Sequence, residues 1–234
     1  MISIVQNFIC TQPERLKIIE REISKMGSIF RDYPFYVNYN TSINVNEVES
    51  LYKDNIHKLN FSNDLTQDWG QVTLNLVNKV ETKYLIILCE DFEYRIDYQE
   101  WKKIENEIIE NRVSYMPIGR LWKYTEAPYH DFYDEGDRLW FYPASRSPGS
   151  SLSVDAFYET DTFKFKLLEL KNHSSVRFPL NLPHHYEDIY HEKFNNGVRK
   201  WGNDFLCAVP KKIILMHTQS DTETILNKGR GWQR

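Results

Sequence analysis

The chain has 234 residues, of which 41% are hydrophobic and 26% charged, with a net charge of -4. These are the proportions of a folded globular chain, and interspersed charges of both signs exclude a dedicated nucleic-acid or membrane-surface protein. The three cysteines, Cys10, Cys89 and Cys207, match no zinc spacing and no disulfide framework. With no basic, apolar leader and no run of about 18 apolar residues, a cytoplasmic chain without a transmembrane segment is expected.

The first 110 residues alternate between two hydrophobic periods. "ISIVQNF" (2–8) predicts a strand, and "PERLKIIEREISKM" (13–26) places Leu16, Ile19, Ile23 and Met26 on one helical face behind Pro13. "FYVNYN" (35–40) reads as a strand, "NVNEVESLYKD" (44–54) as a helix and "IHKLNF" (56–61) as a strand. "DWGQVTLNLVNKV" (68–80) carries Trp69, Val72, Leu76 and Val80 at helical spacing. Tyr84–Leu88 is an uninterrupted apolar run, the signature of a strand buried on both faces. "YQEWKKIENEII" (98–109) is a further amphipathic helix. This rhythm predicts a mostly parallel sheet flanked by helices.

After residue 111 the rhythm breaks. Strands are expected over 112–119, 137–145 and 211–217, and helices over 161–170 and 185–197, the latter closed by Gly197. Between them lies aromatic, irregular sequence, including "LWKYTEAPYHDFYDEGDRLWFYP" (121–143), whose rings could pack a core or line a binding cleft. The expected organisation is one domain over 1–234. Residues 1–110 make a regular α/β half and residues 111–234 an irregular, aromatic one.

The buried strand at 84–88 runs into Cys89, Glu90, Asp91 and Glu93. Ligands of open parallel sheets sit outside the carboxyl ends of the strands, and Mg2+ or Mn2+ takes one or two carboxylates together with substrate phosphates. A solvated turn is the plain alternative. Histidines in "PHHYEDIYH" (183–191) have no zinc spacing and no paired cysteines beside them.

"LIILCEDF" resembles the acidic motif that closes the fourth strand of the GT-A-fold nucleotide-diphospho-sugar glycosyltransferases, with Asp91 common to either register of that motif. "TQPERL" (11–16) is similar to the first loop of that family, "FYVNYNTS" (35–42) to its second strand, and "DWGQVTLNLVNKVETKYLIIL" (68–88) to the helix before its acidic strand. The resemblance covers roughly residues 2–95 and implies a GT-A-like (Rossmann-like) fold. It implies a nucleotide-sugar site including Thr11, Asn40, Trp69, Gly70 and Glu90, with Asp68 beside them, and a UDP- or GDP-linked donor. Asp91, with Glu93 or Glu90 and the strand-terminal His217, would hold Mn2+ or Mg2+. Lys228 and Arg230 in "NKGRG" would fold over the diphosphate.

Weaker echoes in the second half are "SSLSVDAFYETDTFKF" (150–165) and the Glu187-Asp188 pair of "HYEDIYHEKF". They imply a general base for a glycan or other acceptor hydroxyl at Glu187 or Asp188, with Asp155 as a competitor. The expected function is metal-dependent sugar transfer. The alternatives are a non-catalytic nucleotide- or glycan-binding module on the same fold, and a metal-dependent nucleotidyl or phosphoryl transferase. The last would be expected to carry more glycine-rich phosphate-binding sequence than this chain has.

Overall fold

The computed structural model describes residues 1–8, 10, 13–66, 68–90, 92–118, 134–143, 155–173 and 205–217. In chain order these form β1 (Ile2–Phe8), α1 (Pro13–Ile29), β2 (Phe35–Tyr39), α2 (Val45–Asn55), β3 (Leu59–Ser62), α3 (Trp69–Val77) and β4 (Tyr84–Ile87). Then come β5 (Phe92–Tyr94), α4 (Tyr98–Glu110), β6 (Tyr115–Pro117), β7 (Asp134–Glu135) and β8 (Leu139–Pro143). The last are β9 (Ala156–Glu159), α5 (Thr160–His173), β10 (Leu206–Pro210) and β11 (Leu215–His217). The regular first half thus has the elements its periodicity predicts. The helix expected at 185–197 lies outside the described residues.

A nine-stranded sheet has the order β3-β2-β1-β4-β9-β6-β10-β8-β7. Strands β3, β2, β1 and β4 are parallel neighbours. Strand β9 enters antiparallel between β4 and β6, and β8 is antiparallel to β10 and β7. Alternation along β1 and β4 divides the core in two. Ile2, Ile4, Phe8, Tyr84, Ile86 and Leu88 pack with α1, α2 and α4, while Val5, Leu85 and Ile87 pack with α3 and α5. Strand β4 is buried at every position, as an apolar run with no polar alternation requires. The helices α3 and α4 start on side-chain caps: Asp68 accepts from the Gln71 amide and Asp97 from the Glu100 amide, each at 2.8 Å.

Several elements differ from the sequence reading, and β7 and β10 lie where it expected no strand. The segment 211–217 is a strand only over Leu215–His217, because Lys211 ends the preceding ladder. Its amide donates to the Arg138 carbonyl at 2.8 Å and its ammonium binds Glu135 at 2.6 Å. The acidic stretch after β4 contains β5, which pairs antiparallel with β11 and places His217 opposite Phe92. Helix α1 braces this ribbon: Glu22 accepts from the Tyr94 amide at 3.3 Å and Lys25 donates to the Tyr94 carbonyl.

Gly27 sits where α1 crosses the end of α2. A β-carbon there would overlap the Asn55 carbonyl oxygen and stand 3.1 Å from Ile56 Cδ1. Alanine normally stabilises a helix interior by about 1 kcal/mol over glycine. Here Gly27→Ala is expected to destabilise by about 1–3 kcal/mol, the usual range for overpacking. A thermal melt followed by circular dichroism checks it, and an unchanged or raised midpoint would mean that α2 yields.

Candidate functional site

Because β1, β2 and β4 are parallel, their carboxyl ends meet at one edge, where the first turn of α1 also begins. The Arg15 guanidinium lies 2.6 Å from Glu90, just past β4, with side-chain exposures of 15% and 5%. A charge pair so withdrawn from water persists only with close geometry, since each partner alone would carry the full desolvation cost. The preceding residue is held from two sides. The Cys89 amide donates to Asp155 Oδ1 at 2.9 Å, and the Cys89 carbonyl accepts from Gln6 Nε2 at 3.4 Å. Gln6 is oriented in turn by the Tyr52 hydroxyl, which donates to its Oε1 at 2.9 Å.

The opposite side of the edge is built by asparagines. Asn38 is fully buried and uses its whole amide. Its Nδ2 donates to Asn7 Oδ1 and the Asp64 carbonyl, and its Oδ1 accepts from the Ser62 hydroxyl and the Asp64 amide. Asn7 Nδ2 donates to the Trp69 carbonyl and the Thr73 hydroxyl, and the Trp69 indole donates back to the Asn7 carbonyl at 3.1 Å. Asn63 ties the two loops together by donating to the Tyr39 and Thr41 carbonyls. Asn40 Nδ2 donates to the Thr66 carbonyl at 2.6 Å, while its Oδ1 is buried with no hydrogen-bond partner. Hydrogen bonds from the Thr66 hydroxyl and amide hold the Asp64 carboxyl below its usual range.

Buried phenols pack behind this edge, with Tyr33 at the opposite, amino end of β2. Burial raises Tyr52, with Tyr94 and Glu90 adding to it, and burial raises Tyr94, with Asp155 and Glu22 adding. Tyr39 is pushed up to about 12, first by burial and then by Cys10, Glu47 and Glu90. Tyr33, beneath Trp101, is raised by burial and by its hydrogen bond to Glu105. For a group whose folded pKa is raised, the folded state holds the proton more tightly than the unfolded one. Its stabilisation is complete below the unfolded value of about 10 and is lost as pH climbs through the folded value. Stability is therefore expected to fall above about pH 10. Phenolate absorbance should show these four tyrosines ionising only with unfolding, and a smooth titration of all fifteen while circular dichroism stays native would overturn it.

Of the residues singled out in the sequence, Asn40, Trp69, Gly70, Glu90 and Asp155 come together at this edge. Trp69 and Gly70 are buried in the first turn of α3, where Trp69 holds Asn7, and the Asp68 carboxylate is the helix cap. Glu93 pairs with Arg95 at 2.7 Å on the outer side of the β5–β11 ribbon, across from Met216. The backbone of His217 lies opposite Phe92, the neighbour in sequence of Asp91. Thr11, Asp91, Glu187, Asp188, Lys228, Arg230 and the His217 side chain lie outside the described residues. Among the described residues, no group of three or more His, Cys, Asp and Glu could hold a metal ion, and no helix is long and apolar enough to cross a membrane. The sequence reading missed Gln6, Arg15, Asn38, Tyr52 and Asn63. Polar Gln6 and Asn38 inside otherwise apolar strands were the available signal, because buried amides demand partners.

No protein-family model matches the chain, and no curated protein does. Solved structures do. The S. aureus TarS structure aligns at a TM-score of 0.62 and 14% identity over 95% of this chain and 37% of that one. Residues 1–349 of S. aureus TarS in complex with UDP-GlcNAc align at 0.59 and 14% over 94% and 58%. The 4-diphosphocytidyl-2C-methyl-D-erythritol synthase of Anaerococcus prevotii aligns at 0.54 and 7% over 100% and 96%. The chain thus spans between 37% and 62% of the length of the TarS chains it matches. These neighbours are transferases of two kinds, glycosyl and nucleotidyl. At such identities the likeness is one of fold, and the fold of this chain is the GT-A-like α/β architecture it shares with the glycosyltransferase TarS.

Proposed function

We propose that this chain is a glycosyltransferase that moves a sugar from a UDP- or GDP-linked donor to a hydroxyl of a glycan or other acceptor. The observation that carries the reading is the polar carboxyl edge of β1, β2 and β4, with Arg15 fixed against Glu90 and Asn40 at the rim. A fold neighbour was solved in complex with UDP-GlcNAc. Asn40, Thr11 and the first turn of α3 would line the nucleoside. Arg15, with Lys228 and Arg230 from the tail, would face the diphosphate. A fixed guanidinium gives directional hydrogen bonds to phosphate oxygens where a hydrated ammonium would not.

Mn2+ or Mg2+ belongs to the same proposal. The pairing of His217 with Phe92 supports Asp91 and His217 as its holders, since Glu90 is committed to Arg15 and Glu93 to Arg95. When bound, such a cation would neutralise charge on the departing diphosphate. For an inverting reaction Glu187 or Asp188 would take the acceptor proton as the acceptor oxygen attacks the anomeric carbon and the nucleotide diphosphate leaves.

A nucleotidyl transferase is the second reading, favoured by the near-complete mutual coverage with the Anaerococcus prevotii synthase, 100% and 96%. A thermal-shift panel separates the two, because a ligand that binds the native state raises its melting temperature with concentration. UDP, GDP, their sugar conjugates and CTP would each be titrated with and without Mn2+. A shift with a nucleotide diphosphate and its sugar conjugate supports sugar transfer. A shift with CTP alone supports the second reading. Binding of the conjugate with no nucleotide release in the presence of acceptors would point to a binding module. No shift with any of them would overturn the proposal.

A further inference from the structure

We infer that Asp155 is a positioning residue, which anchors the acidic turn after β4 at the donor edge and removes no proton from the acceptor. The inference rests on the glycosyltransferase reading above. Its geometric basis is the point at which a backbone ladder ends. Strand β4 is hydrogen-bonded to β1 on one side and β9 on the other, and its pairing with β9 stops at Ile87 opposite Ala156. Leu88 still donates to the Val5 carbonyl at 3.0 Å. Among the described residues, no strand continues the ladder at the next residue. The Asp155 side chain, immediately before β9, supplies the missing acceptor by taking the Cys89 amide at 2.9 Å.

The arrangement is reinforced from the other side. Gln6 on β1, held by Tyr52 on α2, donates to the Cys89 carbonyl, so the two peptide groups that flank the Cys89 α-carbon are each fixed by a side chain. Glu90 follows directly and binds Arg15. The Asp155 backbone is itself fixed, its carbonyl accepting from the Ile118 amide at 2.9 Å. A general base must reach the acceptor hydroxyl with an oxygen that accepts its proton. Asp155 is only 6% exposed, and one of its oxygens is spent on a charge-assisted bond to a backbone amide. A buried carboxylate with that bond is a fixed strut.

The two roles respond differently to conservative substitution. Asp155→Asn retains an oxygen able to accept from the Cys89 amide and loses only the charge. Asp155→Ala loses both. With three cysteines in the chain, selective 15N-cysteine labelling of the 234-residue chain gives a small amide spectrum in which Cys89 exchange can be followed. In Asp155→Ala the Cys89 amide should exchange about tenfold faster, the equivalent of one lost hydrogen bond. Affinity for UDP or GDP, whichever shifts the melting of the wild type, should weaken by about the same factor. Asp155→Asn should resemble the wild type in both. A base would leave nucleotide affinity untouched in either variant, so unchanged affinity in Asp155→Ala overturns the inference, as does unchanged Cys89 exchange. Weakened affinity in Asp155→Asn with slow Cys89 exchange would overturn it too, by assigning the carboxylate charge a direct role. If neither nucleotide bound the wild type, the glycosyltransferase reading would fall, while the exchange comparison would still decide whether Asp155 anchors the turn.

Discussion

Glu90→Ala is expected to lower the unfolding free energy by about 3 kcal/mol, because it leaves the Arg15 guanidinium largely buried without its carboxylate. The cost comes from the partner left behind more than from the bond removed. Arg15→Ala should cost a similar amount by taking the guanidinium from the buried Glu90 carboxylate. The double replacement Arg15→Met with Glu90→Leu removes both charges and keeps apolar volume, and should recover most of the loss, since buried ion pairs seldom outperform well-packed apolar side chains. Urea unfolding of the wild type, the two alanine variants and the combined Arg15→Ala with Glu90→Ala closes a double-mutant cycle whose interaction energy reports the pair. The functional expectation runs the other way. The double variant Arg15→Met with Glu90→Leu should fold yet bind a nucleotide diphosphate about tenfold or more weakly, because the Arg15 guanidinium is gone from the donor edge. Additive stability losses would mean that water already solvates the pair. Full nucleotide affinity in the double variant would remove Arg15 from the site.

How much of this was legible in the sequence depends on whether the information is local. The βα alternation up to residue 110 is written in hydrophobic period, and the structure follows it to within a few residues. Tyr84–Ile87 was readable as a central strand because a strand covered on both faces shows no polar alternation. The sheet's second half was less legible. Strands β6 and β11 have three residues each, too short for a period to emerge, and β10, an apolar run of five cut off by a lysine pair, was not read as a strand. The partners of the site residues were least legible. Glu90 reads as a cation ligand in isolation. Its pairing with Arg15, 75 positions earlier, is created by the parallel alignment of β1 and β4. The antiparallel pairing of β4 with β9 gives Cys89 its bond to Asp155, 66 residues away. Local composition places carboxylates at a strand end, and only the fold decides which of them are already committed.

Asn38→Ala tests whether the polar layer between β2 and α3 shapes the site or merely fills space. The amide of Asn38 makes four hydrogen bonds at zero exposure, so its loss strands groups on three other residues. Of these, Ser62 keeps a bond to the Val37 carbonyl, whereas the Asp64 amide and Asn7 Oδ1 lose the bonds Asn38 gave them. Unsatisfied buried groups cost about 1–3 kcal/mol each, partly relieved by water or relaxation, and a net loss of about 3 kcal/mol is expected. Ser62→Ala, which removes one bond from the same network, should cost under about 1 kcal/mol. The effect should also reach the donor edge. Asp64 is the point from which the 63–66 loop is hung, and that loop fixes Asn40 through Thr66 and the β2 end through Asn63. Nucleotide affinity in Asn38→Ala should therefore fall further than in Ser62→Ala, measured by calorimetry well below either melting transition. Equal affinities alongside the expected stability loss would show that the asparagine layer holds the fold together but leaves the nucleoside side of the edge unaffected.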